Sequence, residues 1–134
     1  MNKLPAPLAL RKYIVLEANS QAYQGFNYSG PLDTEEQIDE AYDYTIENDG
    51  WGIEDEIRQG QEEISIKPPY SRNYEAKSVA TKTQDGWIGW TYWYGGGKYG
   101  NPEEINWIDD AYYLNCKEKE VLRIEKTWTK INPP

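Results

Sequence analysis

The 134-residue chain has no histidine, one cysteine, one methionine and one phenylalanine. Without histidine there is no Ser-His or Cys-His nucleophile pair and no imidazole ligand for a metal. One thiol, Cys116, cannot close an internal disulfide, which fits a reducing cytoplasm, and the expectation for it is a buried structural group. Long apolar runs are absent too. No window approaches the roughly 18 apolar residues of a membrane span. Met1 to Leu10, broken by Pro5 and Pro7, lacks the apolar stretch and small-residue cleavage site of an export signal. The expectation is a soluble cytoplasmic protein that needs no cofactor and no metal, with no membrane partner.

Positive charge is also scarce: 14 basic residues face 23 acidic ones, a formal charge of −9. Direct binding to nucleic acid is therefore disfavoured. The imbalance is local. Residues 33–63 hold thirteen acids and a single base, Arg58, for a net of −12, while the rest of the chain carries a net of +3. The apolar inventory is equally uneven, with six Trp and twelve Tyr. These amphipathic rings suit a core near the surface or an interface. The length predicts one domain over residues 1–134 with one core, an extended arm at 1–10 and a tail at 132–134.

Lys12 to Asn19 (KYIVLEAN) is a β-branched apolar run and predicts a first strand. Ser20 to Gly30 has no clear period and stays unassigned. The strongest helix signal follows. Asp33 or Thr34 serves as N-cap, with Glu36 or Gln37 as the reciprocal capping partner. Ile38, Ala41, Tyr42, Thr45 and Ile46 form one apolar stripe, and Asn48-Asp49-Gly50 supplies the stop, giving a helix over about 34–48. Residues 51–60 predict a short helical turn through Ile53 and Ile57, and Glu62 to Lys67 a brief strand.

Tyr74 to Thr83 and Gly86 to Tyr94 (GWIGWTYWY) predict a hairpin closed near Asp85-Gly86, with the aromatic strand central in the sheet. Trp107 to Cys116 and Val121 to Ile131 predict a second hairpin. Gly95-Gly96-Gly97-Lys98 lacks the spacing of a phosphate loop and reads as a flexible or tightly bent connection between hairpins. The fold expected is α+β: strand, helix, then two hairpins, forming an antiparallel sheet of four or five strands with one main amphipathic helix on one face.

Glu36, Glu40, Asp43 and Glu47 recur at steps of four, three and four residues on the outer face of the predicted helix. The row runs roughly 16 Å, with successive charges about 4.5 to 6 Å apart along the axis. Each neighbouring pair costs about 0.2 to 0.5 kcal/mol, and no basic residue within the helix relieves it. A cationic partner gives a physical reason for such a row; a solvated face has the same composition. With Glu54, Asp55 and Glu56 these residues form the candidate partner-binding set. The expected partner is a basic protein surface on a nucleic-acid-binding protein. The protein would then be an inhibitor whose carboxylates imitate phosphates, of the phage anti-defence or antitoxin type.

Trp87, Trp90, Trp93 and Tyr99 form a second candidate surface, for carbohydrate, small ligand or protein, against the alternative that these rings build the core. Thr45 to Glu56 matches the calcium-loop template at only some positions and is set aside. A carboxylate hydrolase would draw on Asp109-Asp110 or Glu103-Glu104. Neighbours in a strand point to opposite faces, which weighs against Asp109 with Asp110 and leaves no catalytic residue assigned.

Overall fold

A computed structural model describes residues 3–21, 28–49, 52–116, 118 and 126–131. Helices α1 (Ala6–Gln21), α2 (Glu35–Asp49) and α3 (Gly52–Arg58) precede strands β1 (Glu62–Glu63), β2 (Glu75–Thr83), β3 (Gly86–Tyr94) and β4 (Tyr112–Leu114). The strands form one antiparallel sheet in the order β1-β2-β3-β4, so the fold is α+β and the aromatic strand is central.

The predicted first strand is a helix. Residues 6–10, expected in an extended arm, form its first turns, and Leu8 and Ala9 both donate backbone hydrogen bonds to the Pro5 carbonyl. Proline is tolerated there because first-turn amides have no intrahelical partner to lose. Ala6, Ala9, Leu10, Ile14 and Ala18 recur at helical spacing and are buried with Ile53, Val79, Ile88 and Trp90. Leu8 and Val15 are buried on another part of the circumference. A helix covered on several sides loses the alternation of a surface helix, and its β-branched Ile14 and Val15 then resemble a strand.

Helix α2 forms as its sequence dictates. Thr34 and Gln37 make the reciprocal capping box: Gln37 N–H donates to Thr34 Oγ1 at 3.2 Å, and Thr34 N–H to Gln37 Oε1 at 3.0 Å. Ile38, Ala41 and Thr45 are fully buried, and α2 packs against α1. Thr45 lies well inside the helix and donates to the Ala41 carbonyl, so the start of the partial calcium-loop match is a buried helical residue. Helix α3 ends at Arg58, and Gly60 two residues later turns the chain with a φ of 75° that favours glycine; a Cβ there would stand 2.6 Å from that of Val79.

The β2–β3 hairpin pairs Glu75 with Tyr94 through to Thr83 with Gly86. Thr83 Oγ1 closes the turn, donating to the Gly86 carbonyl and accepting from Asp85 N–H. Gly95, Gly96 and Gly97 all have positive φ, and a Cβ on Gly96 would come within 2.5 Å of the Tyr74 ring, so the connection after β3 is tightly bent. Of the predicted second hairpin, the described residues show the first arm alone as a strand. That arm shortens to the three residues of β4. In the second arm, residues 121–125, with Leu122 and Ile124, lie outside the described residues, and 126–131 are exposed without strand pairing. Cys116 is exposed, not buried: it follows β4, where the chain leaves the sheet. No helix among the described residues is long and apolar enough to cross a membrane.

Candidate functional site

Helix α2 borders two acid-lined concavities of different character. The first lies along its outer face. Glu36, Glu40, Asp43 and Glu47 are all exposed, and with Asp39 they line one groove of about 580 Å3. The capping box fixes where α2 starts, and its buried stripe fixes which way it is rotated, so the spacing of four, three and four residues becomes a single row. Ion pairs among the described residues are Arg11–Asp109, Lys12–Asp85 and Arg58–Asp55, and none includes a carboxylate of the row. Nor does any group of three or more carboxylates among the described residues gather tightly enough to hold a metal ion. The charges are spread along a line.

Tyr28 and Tyr44 form the aromatic part of the groove, with ring centroids 5.6 Å apart. Asn19 at the end of α1 holds Tyr28 from both sides: its amide Nδ2 donates to the Tyr28 carbonyl at 2.9 Å, and its Oδ1 accepts from Tyr28 N–H at 2.7 Å. The sequence reading missed Asp39, Tyr28 and Tyr44. Asp39 stands three residues after Glu36 and four before Asp43, so helical spacing was enough to find it. Tyr28 lies in the stretch left unassigned, and the Asn19 clamp and the Tyr44 ring hold it beside α2.

Glu54, Asp55 and Glu56 do not join this groove. Glu54 and Asp55 line the second concavity, a cavity of about 890 Å3 between α1, α2, α3 and residues 103–108, while Glu56 is exposed and lines neither. Tyr42 Oη donates to Glu54 Oε1 at 2.7 Å. Burial, followed by this hydrogen bond to a carboxylate, pushes the Tyr42 phenol far above its ordinary range. Arg58 is buried and spans from α3 to β3, with Nε donating to Asp55 Oδ1 at 3.2 Å and Nη1 to the Trp93 carbonyl at 3.0 Å. Its guanidinium also stacks 4.7 Å from the Tyr92 ring centroid.

Arg11 donates to Asp109 at 2.7 Å, and Asn106 donates to the other oxygen of the same carboxylate at 2.6 Å. Those two hydrogen bonds hold the Asp109 carboxyl below the usual carboxylate range. Of the adjacent acids considered for hydrolysis, Glu103 and Glu104 line this cavity; Asp109 and Asp110 are exposed on a turn beside it.

The aromatic strand divides. Trp90 is fully buried, and its indole N–H donates to the Arg58 carbonyl at 2.8 Å. It packs against Trp107 with centroids 5.2 Å apart. Trp90 is a core residue and not a contact surface, because β3 is central and its Trp90 face lies under α1 and α3. Trp87 and Trp93 are half-buried on the opposite face, and the Tyr99 side chain lies outside the described residues. Comparison of the chain with protein-family models, with curated proteins and with solved structures finds no match.

Proposed function

We propose that the protein is a binding protein whose α2 outer face docks onto a cationic protein surface, and that it inhibits a nucleic-acid-acting partner by occupying the basic groove where phosphates would lie. The observation that carries this reading is the composition of the α2 groove: five carboxylates, two tyrosines and no basic side chain among the described residues that line it. An anionic row this long raises the encounter rate with a basic surface and fixes the orientation of docking. Tyr44, 43% exposed within the row, supplies the aromatic anchor typical of the centre of an interface. The reading goes with a cytoplasmic location, where such a partner would be met.

The reading assigns the role to Glu36, Asp39, Glu40, Asp43 and Glu47, with Tyr28 and Tyr44, and no longer to Glu54, Asp55 and Glu56. Its test uses immobilised full-length protein and a variant carrying Glu40→Lys with Asp43→Lys. A partner retained by the wild type should elute between 50 and about 500 mM salt, as exposed charges become screened, and the variant should not retain it. Adding the wild-type protein should then displace nucleic acid from that partner. Retention by the charge-reversed variant, or a partner that keeps its nucleic acid, contradicts the proposal.

A further inference from the structure

The cavity behind α2 carries an inference independent of the outer groove. We propose that it binds a small organic cation, an amine or guanidinium group carried on an apolar body. Its volume of about 890 Å3 falls within the range of about 300 to 1,000 Å3 usual for small-molecule sites. One part of its lining is apolar: Trp107 and Ile108 are 5% and 4% exposed, and Trp107 is held in place by the ring of Trp90 behind it.

The polar lining decides the sign of the ligand. Two arginines reach the cavity, but each is already engaged by acceptors of the protein. Arg11 is held by Asp109; Arg58 is held by Asp55 and by the Trp93 carbonyl. An anionic ligand would have to compete with these contacts. Four carboxylates line the same space, and Asp55 is in an ion pair with Arg58. Glu54 sits in the wall with the Tyr42 proton turned onto one oxygen. Glu103 and Glu104 stand on the 3-10 turn Pro102–Glu104 and take part in no ion pair among the described residues. A ligand cation would meet Glu103 and Glu104 at the rim and Glu54 in the wall, with its body against Trp107.

Three compounds with one body and three charges test this: phenethylamine, 2-phenylethanol and phenylacetate, each titrated calorimetrically into the full-length protein. The amine is expected to bind saturably and about tenfold more tightly than the alcohol, the usual gain of a charge-assisted hydrogen bond over a neutral one, while phenylacetate does not bind. Glu103→Gln with Glu104→Gln, at exposed positions that do not threaten the fold, should weaken the amine about tenfold. Glu54→Gln keeps an acceptor for Tyr42 and should weaken it as well. The Glu40→Lys, Asp43→Lys variant should bind the amine as the wild type does, which separates this site from the α2 groove. Equal affinity for all three compounds, preference for phenylacetate, no saturable binding, or amine binding unchanged in the Glu103/Glu104 variant would each overturn the proposal.

Discussion

The groove outside α2 and the cavity behind it are both lined with carboxylates, yet they stand in opposite relation to the rest of the fold. Three acids at the cavity, unlike Glu103 and Glu104 at its rim, are tied into the structure. Asp55 holds Arg58, Asp109 beside it holds Arg11, and Glu54 accepts from Tyr42, so these charges link α1, α2, α3 and the segment before β4. The row on the groove is tied to nothing cationic among the described residues. A carboxylate that serves the fold is found paired, and one kept exposed beside like charges costs the fold energy. The difference explains why acidity alone did not identify one surface: residues 33–63 hold both kinds.

The contrast gives an order of sensitivities. Trp90→Ala, which removes the support behind the cavity and a fully buried indole, should destabilise by about 3 to 5 kcal/mol in urea unfolding. A loss below about 1 kcal/mol would mean that this wall is not core. Arg58→Ala should cost about 2 to 3 kcal/mol, because it leaves the Trp93 carbonyl without its charged donor and removes the guanidinium packed on Tyr92. The same substitution should leave salt-sensitive partner binding through α2 unchanged. If it abolished that binding, the two concavities would be one functional unit.

Titration sharpens the comparison at both ends of the pH scale. Because the Tyr42 phenol is raised in the folded state, its contribution is fully present below the unfolded value of about 10 and is lost as pH rises above it. Wild-type stability should therefore fall more steeply above about pH 10 than that of Tyr42→Phe; parallel curves would show that the phenol does not report on the cavity wall. Asp109 has the opposite sign. Its lowered folded value gives stability that is present above the unfolded pKa of about 3.9 and lost as pH falls through the folded one. The effect is small, because this side chain is 56% exposed and screened by solvent. Asp109→Asn should flatten the acid limb, and an unchanged limb would mean that Arg11 and Asp109 do not interact in solution.

How far the sequence revealed these features depended on how local their causes are. Helix α2 was readable from its capping box and buried stripe, and the β2–β3 hairpin from its turn and paired runs, since each is decided within about fifteen residues. Helix α1 was misread because the start of the helix was taken for an arm, and Ile14 and Val15, buried on different sides of it, gave a strand-like run. The row Glu36, Glu40, Asp43 and Glu47 follows from helical geometry and was visible; Tyr28 depends on a clamp from Asn19 and was not. The separation of Glu54 and Asp55 from that row is tertiary. Only the path of α3 sends them to the other side of Tyr42.

The central physical claim is that the α2 row is exposed and unrelieved by any cation among the described residues. Its most direct measurement compares the urea unfolding of the wild type with that of a variant carrying Glu36→Gln, Glu40→Gln, Asp43→Asn and Glu47→Gln, at low salt and again at 1 M salt. The account predicts that the variant is more stable by about 1 kcal/mol at low salt, the sum of three relieved neighbouring repulsions, and that this gain disappears at 1 M salt, where the screening length falls to about 3 Å. A variant no more stable than the wild type at low salt, or less stable, would mean that the row is already compensated within the molecule.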